Sequence, residues 1–340
     1  MSYLDYFQNK TVVLTGAGGF IGSHLTARLL RAGAFVLGVD NFITGQKQNL
    51  SEVLENNPHK DNFTLIEADV NQPPEVFLPP ELGQDLELDL VLHFASPASP
   101  PRYQQFPRLT YLVNSWATHQ LLDYLYSTNP KARFVFASTS EVYGDPEIHP
   151  QPETYWGNVN PNGPRSCYDE AKRLGETICG VYQRNFEFDV RIARIFNTYG
   201  PRMDVMDGRV IPNFLRQAVE GQKMTVYGQG TQTRSYCYVD DLVEGVMRLA
   251  GIKNLTGETV NLGNPDEYTV LETAKIIGNL VNGQFDSEND LIFKDLPTDD
   301  PTRRKPDISL AKKLLDWQPE VGFEKGLKKT VEYFRRAMSE

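Results

Sequence analysis

Tyr168 stands four residues before Lys172 in "SCYDEAK" (166–172), a spacing that stacks two side chains on one helix face, one turn apart. A phenol with a pKa near 10 is a poor base at neutral pH. A neighbouring ammonium, joined by the positive charge of an oxidised cofactor if one lies alongside, stabilises the phenolate and draws that value toward about 7. Spacing alone does not choose the pair, because Tyr6 and Lys10 in "YFQNK" repeat it. Position does. Tyr6 precedes the first apolar run, whereas Tyr168 opens a long helical stretch that follows the fifth strand, so Tyr168 is the expected base.

A nicotinamide is expected because "TGAGGFIG" (15–22) follows the first strand and opens the first helix. Gly16, Gly19 and Gly22 allow a tight turn and a close approach of the backbone to a pyrophosphate. The helix start at Phe20 and Ile21 aims its N–H groups at it. Asp40 ends the second strand, with Asn41 after it. A carboxylate there accepts hydrogen bonds from the adenosine ribose and repels a 2′-phosphate, which favours NAD over NADP. Asp69 and Val70, at the end of the third strand, are placed to meet the adenine. The alternative for the same residues is an ordinary strand–turn–helix unit with acids at its strand ends.

The elements that must position these groups alternate along the chain. Strands are expected at 11–15, 35–40, 63–69, 88–95, 132–138 and 188–196, and helices over "FIGSHLTARLLRAG", 106–127 and 168–186. This rhythm implies an α/β fold with a doubly wound parallel sheet of the Rossmann type. Past residue 196 the pattern changes to a loop-like "YGPRMDVMDGR", a helix at 211–220 and short elements. Residues 1–196 and 237–263 read as the NAD-binding domain, and 197–236 and 264–340 as a smaller C-terminal substrate-binding lobe. The loop "NNPHKDN" and the Pro-rich "NQPPEVFLPPELGQD" (71–85) read as surface insertions. Helix 106–127 is apolar on more than one side (Leu109, Leu112, Val113, Trp116, Leu121, Leu122, Leu125). That surplus suggests a homodimer formed through helices 106–127 and 168–186, unless the insertion loops cover it.

The net charge of −10 argues against a nucleic-acid or anionic-membrane partner. Three cysteines without a CxxC suit a reducing compartment, and five histidines without ligand-like spacing suggest no metal. With no apolar run of about 18 residues and a short, charged N-terminus, a cytoplasmic location is expected.

The glycine turn, Asp40, "STS" (138–140) and Tyr168/Lys172 together resemble the extended short-chain dehydrogenase/reductases that modify nucleotide sugars. The likeness runs from about Thr11 to the last helix and is closest to the UDP-glucuronate decarboxylase branch. It is carried by "HFASPASPPRY", "STSEVYGDPEIHPQPETYWGNVNP", "GPRSCYDEAKR", "RIFNTYGPRM", "VYGQGTQTRSYCYVDDLV" and "DDPTRRKPDI". The resemblance implies that NAD oxidises the 4-hydroxyl of UDP-glucuronate, that the resulting β-keto acid loses carbon dioxide, and that the returned hydride gives UDP-xylose. It assigns Thr139 to the 4-oxygen beside Tyr168, Glu141 to the C4–C5 face, and Arg304 to the developing enolate or a protonating water. Ser140 departs from the sugar 4,6-dehydratases, which place Asp there as an acid for a leaving hydroxyl. Serine cannot do that at neutral pH, and decarboxylation has no leaving hydroxyl.

At the nucleotide end, Arg234 and Arg202 are candidates for the phosphates, Asn197 for the diphosphate or sugar, and Tyr227 for stacking on uracil. Tyr103 is the best-placed donor for the sugar carboxylate. His93 and Asn114 read as supports of strand and helix. Rival readings are a 4-epimerase, a decarboxylase that releases the 4-keto pentose, and a non-catalytic NAD-sensing protein.

Overall fold

The computed structural model describes residues 2–55, 57–81, 87–298, 301 and 303–339. Residues 82–85 of the Pro-rich insertion, and Asp299, Asp300 and Thr302 of the arginine-bearing stretch, lie outside them. The strands are β1 (Thr11–Thr15), β2 (Phe35–Asp40), β3 (Phe63–Glu67), β4 (Leu90–His93), β5 (Arg133–Thr139), β6 (Asp189–Ile195), β7 (Thr198–Tyr199), β8 (Met224–Tyr227), β9 (Thr233–Ser235), β10 (Cys237–Tyr238), β11 (Thr259–Leu262), β12 (Glu267–Thr269), β13 (Leu291–Lys294) and β14 (Arg303–Arg304). The helices are α1 (Phe20–Arg31), α2 (Lys47–Glu55), α3 (Pro74–Phe77), α4 (Pro100–Gln105), α5 (Pro107–Asn114), α6 (Trp116–Thr128), α7 (Ser166–Phe186), α8 (Val210–Val219), α9 (Val239–Gly251), α10 (Val270–Asn282), α11 (Ser309–Leu315) and α12 (Phe323–Ala337).

Seven parallel strands form the central sheet in the order β11-β6-β5-β4-β1-β2-β3. Every residue of β1 and β5 is buried, which is why each is apolar through its middle: helices cover both faces. The chain leaves β1 in one direction toward β2 and β3 and returns to β4 on the other side. That reversal opens a crevice at the carboxyl ends of β1 and β4, where such sheets bind ligands. One continuous cluster of buried apolar residues joins α1 and β1 to α8, α9, α10 and α12.

The expected helix at 106–127 is two helices. They break at Ser115, whose backbone (φ −122°, ψ −71°) is not helical. Asn114 turns its amide back to the Thr110 carbonyl (2.8 Å), and the Ser115 hydroxyl does the same to Tyr111 (2.6 Å). Such back-bonding competes with helix continuation. The other expected elements fall within a few residues of their observed bounds.

Beyond β6, β9 pairs antiparallel with β12 and parallel with β14, which puts Arg234 in register with Arg304. β13 lies parallel to β8.

Candidate active site

A cavity of about 560 Å³ runs from Gly16–Gly22 past the ends of β4, β5 and β6 to Tyr227 and Arg234. Thr139 closes β5 and Tyr168 lies in the first turn of α7, and both line the cavity. The Thr139 side chain hydrogen-bonds the Tyr168 hydroxyl. Lys172, one turn on, donates to the Ala137 carbonyl at 2.6 Å, with its nitrogen 5.7 Å from the centre of the Tyr168 ring.

The fall of the Tyr168 pKa toward 7 requires the charge of an oxidised nicotinamide, because the protein's own groups, taken together, act the other way. Burial pushes the phenol well above its ordinary value, and Thr139 and Arg209 only partly oppose this. Lys172 is itself buried, which brings its ammonium down to about 7. The competing pair is elsewhere: Arg133 stacks over the Tyr6 ring at 4.3 Å, and Lys10 pairs with Asp89 at 2.5 Å.

A second cluster shares the cavity. Thr139 Oγ1 accepts from the Glu141 backbone N–H (3.2 Å), which turns the Glu141 carboxylate toward Arg304 (3.2 Å) and Arg165. Burial alone would raise the Glu141 pKa, but Arg304 and Arg165 outweigh it and hold the carboxyl at about 2. Glu141 is therefore ionised at neutral pH and is not itself a proton source. Arg304, 1% exposed, also donates to the Gly144 carbonyl (2.8 Å), while its Nε is buried with no partner. Asp169 meets the same Arg165 at 3.9 Å, and burial, reinforced by Glu141, raises its pKa to about 8.

The glycine turn makes a cradle that side chains would fill. Gly16 has φ +74°, and a Cβ on Gly22 would lie 1.9 Å from the Gly16 oxygen. Gly19 caps α1 with no side-chain hydrogen bond, so the helix start presents its N–H groups to an anion. Asp40 accepts from the Gly18 (2.8 Å) and Phe42 (2.7 Å) N–H groups, and its carboxylate keeps further lone pairs for a ribose. A smaller cavity beside it is lined by Asp40, Asn41, Asp69 and Val70. This donor set and steric profile fit a dinucleotide.

Toward the other end, Arg234, Asn197 and Tyr227 line the large cavity. Tyr103 is buried, with its hydroxyl unpartnered. Arg202 also lines it, but donates to the Ser23 carbonyl of α1 (3.2 Å), on the side of the glycine cradle. Sequence reasoning missed Arg165 and Arg209. Arg209 is gripped bidentately by Asp207 (2.6 and 2.8 Å) and lines the cavity near Tyr168. Arg165 sits inside "GPRSCYDEAKR", just before the base, and that position was the available signal.

A doubly wound sheet with a glycine cradle at its switch point and a Thr–Tyr–Lys set at the end of β5 defines an extended short-chain dehydrogenase/reductase. The chain belongs to the family described as GDP-mannose 4,6 dehydratase, whose family model matches residues 13–330. It is 46% identical over 338 residues to UDP-glucuronic acid decarboxylase 1 of Xenopus tropicalis, covering 99% of this chain and 75% of that one. With UDP-glucuronic acid decarboxylase 4 of Arabidopsis thaliana it shares 48% over 328 residues (96% and 68%). Among solved structures it resembles the UDP-glucuronic acid 4-epimerase from Bacillus cereus, in complex with UDP-glucuronic acid and NAD (TM-score 0.82, 28% identity, 96% and 99% covered). It also resembles dTDP-glucose 4,6-dehydratase from Streptomyces venezuelae with NAD bound (TM-score 0.82, 25% identity, 97% and 98% covered). Among the described residues, no helix is long and apolar enough to cross a membrane.

Proposed function

We propose that this chain decarboxylates UDP-glucuronate to UDP-xylose through a 4-keto intermediate, with NAD recycled in place. Bound NAD supplies the two-electron oxidation and its reversal. Tyr168 takes the 4-hydroxyl proton while Thr139 holds the oxygen and Lys172 supplies positive charge behind the phenol. With a ketone at C4, the C5–carboxylate bond breaks, its electron pair enters an enolate, and carbon dioxide leaves. Arg304 stabilises that enolate, and Glu141, ionised, orients Arg304 and a water that protonates C5.

Gly16, Gly19, Phe20, Ile21 and Gly22 would hold the pyrophosphate, Asp40 and Asn41 the ribose, and Asp69 and Val70 the adenine. Arg234, Asn197 and Tyr227 would take the uridine diphosphate, joined by Arg209. Tyr103 would meet the sugar carboxylate, and Arg202 would serve the cradle side of the cavity. In this reading residues 197–236 and 264–340 form the nucleotide-sugar lobe. The exposed Tyr111, Trp116, Leu174 and Val181 of α5, α6 and α7 would meet a second copy, and the three free cysteines suit the cytoplasm.

The observation that carries the reading is Thr139 itself, which bonds Tyr168 with its side chain and accepts from the N–H of the residue that holds Arg304. The oxidising pair and the enolate-stabilising pair are thus locked together. Mixing the protein with NAD and UDP-glucuronate and resolving the products by NMR tests it. UDP-xylose is expected. UDP-galacturonate would make the chain an epimerase, UDP-4-keto-pentose a decarboxylase that lets its intermediate go, and unchanged substrate a cofactor sensor.

A further inference from the structure

Glu176 lies one helical turn beyond Lys172 on α7 and lines neither cavity. Its carboxylate is nevertheless fully engaged. The Ser138 hydroxyl donates to Oε1 at 2.5 Å, and Arg194 donates through Nε (2.9 Å) and Nη2 (2.7 Å). From Arg194 on β6 the bonding continues toward Asn261 on β11. Its Nη1 donates to the Tyr143 hydroxyl (3.0 Å), Tyr143 donates to Asn261 Oδ1 (2.7 Å), and Asn261 Nδ2 donates to the Gln151 and Asp307 carbonyls (2.9 and 3.1 Å). The Gln151 side chain accepts from the Lys305 N–H at 2.9 Å, next to Arg304. A chain of buried and part-buried hydrogen bonds therefore runs from Glu176 on α7 to Lys305, the residue after β14.

We infer that Glu176 is a positioning residue for the oxidation step, fixing α7 against Ser138–Thr139 and supplying the negative charge that steadies the Lys172 ammonium. The surroundings of Lys172 leave few other sources of that charge. Its own helix presents Tyr168, Glu176 and Cys179. β5 presents the Ala137 carbonyl at 2.6 Å and the Phe136 ring at 4.9 Å. On β4, His93 is held neutral by burial, with Lys172 adding to the effect, and on β6 Arg194 is occupied by Glu176. Burial drives Lys172 down to about 7, while Cys179 and Glu176 oppose it. Burial also raises the Cys179 thiol well above its ordinary value, so it is uncharged at working pH and Glu176 is the operative anion. Arg194 shares that anion, and for that reason both the charge and the reach of residue 176 matter.

The inference rests on Tyr168 and Lys172 being the oxidising pair, and its test separates the two claims. Conversion of UDP-glucuronate by the wild type tests that reading first. In Glu176→Gln the alkaline limb of kcat is expected to move down by on the order of one pH unit, with KM for UDP-glucuronate unchanged. In Glu176→Asp, which keeps the charge and shortens the reach, the limb stays and kcat falls roughly tenfold. A Glu176→Gln profile that is the wild-type profile scaled by one factor at every pH, or wild-type kcat in both variants, overturns the assignment. Lys172 can also be titrated directly, in protein carrying 13C-labelled lysine with the resonance assigned by Lys172→Arg. A lower midpoint in Glu176→Gln supports the inference and an equal one overturns it, whether or not the wild type turns over this sugar. If Glu176→Gln does not fold, Glu176→Asp decides: reduced kcat with an unmoved limb supports it, and unreduced kcat overturns it.

Discussion

The ring of Tyr103 lies flat against that of Tyr168, with centroids 5.1 Å apart and planes 6° from parallel. The stack covers one face of the proposed base's ring, and both rings line the large cavity. The two hydroxyls differ in kind: Thr139 bonds that of Tyr168, whereas that of Tyr103 is buried without a partner. An unmade buried hydrogen bond is costly, and a substrate oxygen that makes it recovers the loss. Tyr168→Phe is expected to lower kcat by about three orders of magnitude or more with NAD binding retained. Tyr103→Phe keeps the stacked ring and should chiefly raise KM, by on the order of tenfold. Tyr6→Phe should change neither. Steady-state kinetics with cofactor titration check all three, and comparable kcat in Tyr168→Phe and wild type would remove Tyr168 from the base role.

The cradle and Asp40 give two separable effects on the cofactor. A methyl group at position 22 would sit 1.9 Å from the Gly16 oxygen, so Gly22→Ala is expected to weaken NAD and NADP binding alike. Asp40→Ala removes the charge that faces a 2′-phosphate and should narrow the preference for NAD over NADP. The same carboxylate bonds the Gly18 and Phe42 N–H groups, so absolute affinity falls as well. Calorimetric titration of each variant with both dinucleotides reads the two effects. Equal binding of NAD and NADP by the wild type would take Asp40 off the ribose.

Much of this was legible from the chain. Strand–helix alternation is a local pattern, and strands buried on both faces announce themselves as apolar runs, so the sheet and the cradle could be read in order. Tyr168 and Lys172 were legible because one helical turn joins them. The Ser115 break was not, since it depends on where Asn114 and Ser115 send their side chains. Arg165 and Arg209 carry no periodic signal, and the partner that makes Arg165 significant, Glu141, is 24 residues away. Spacing also reports the charge beside Tyr168 but not the depth of its burial, which raises the phenol's pKa in the protein's own surroundings.

Two buried histidines make acid sensitivity predictable. Burial, aided by Arg202, holds His24 at about 3, and burial, aided by Lys172, does the same for His93. Unfolded histidine titrates near 6.5. The folded values are depressed, so the stability they contribute is complete above about pH 6.5 and is lost as pH falls toward 3. The slope is about 1.4 kcal/mol per pH unit for each histidine. His93 bonds Thr15 and the Val113 carbonyl, which Asn can partly reproduce. Denaturant unfolding at pH 7, 6 and 5 should show His93→Asn less stable than wild type at pH 7, with the gap closing by about 1.4 kcal/mol per pH unit below pH 6. A constant gap would mean that His93 is protonated inside the folded protein.

Arg304 and Glu141 are expected to act after oxidation. In the proposed reading, abstraction at the 4-hydroxyl falls to Tyr168 and Lys172, and Thr139 stands between that pair and Glu141. Loss of carbon dioxide then builds negative charge on the enolate, the task suited to a guanidinium that is 1% exposed and already turned into the cavity. Glu141, held at about 2 by Arg304 and Arg165 against its burial, keeps a constant charge across the working pH range. Its replacement should therefore act through the placement of Arg304 and the protonating water, without introducing a new acidic limb. In single-turnover experiments with NAD and UDP-glucuronate, Arg304→Ala and Glu141→Gln are expected to accumulate NADH that persists, seen by absorbance. The wild type should show it only transiently. Arg304→Lys, which keeps the charge without the fork, should fall between the two. If oxidation slows in both variants as much as overall turnover does, the pair orients the bound sugar and takes no part in the chemistry that follows.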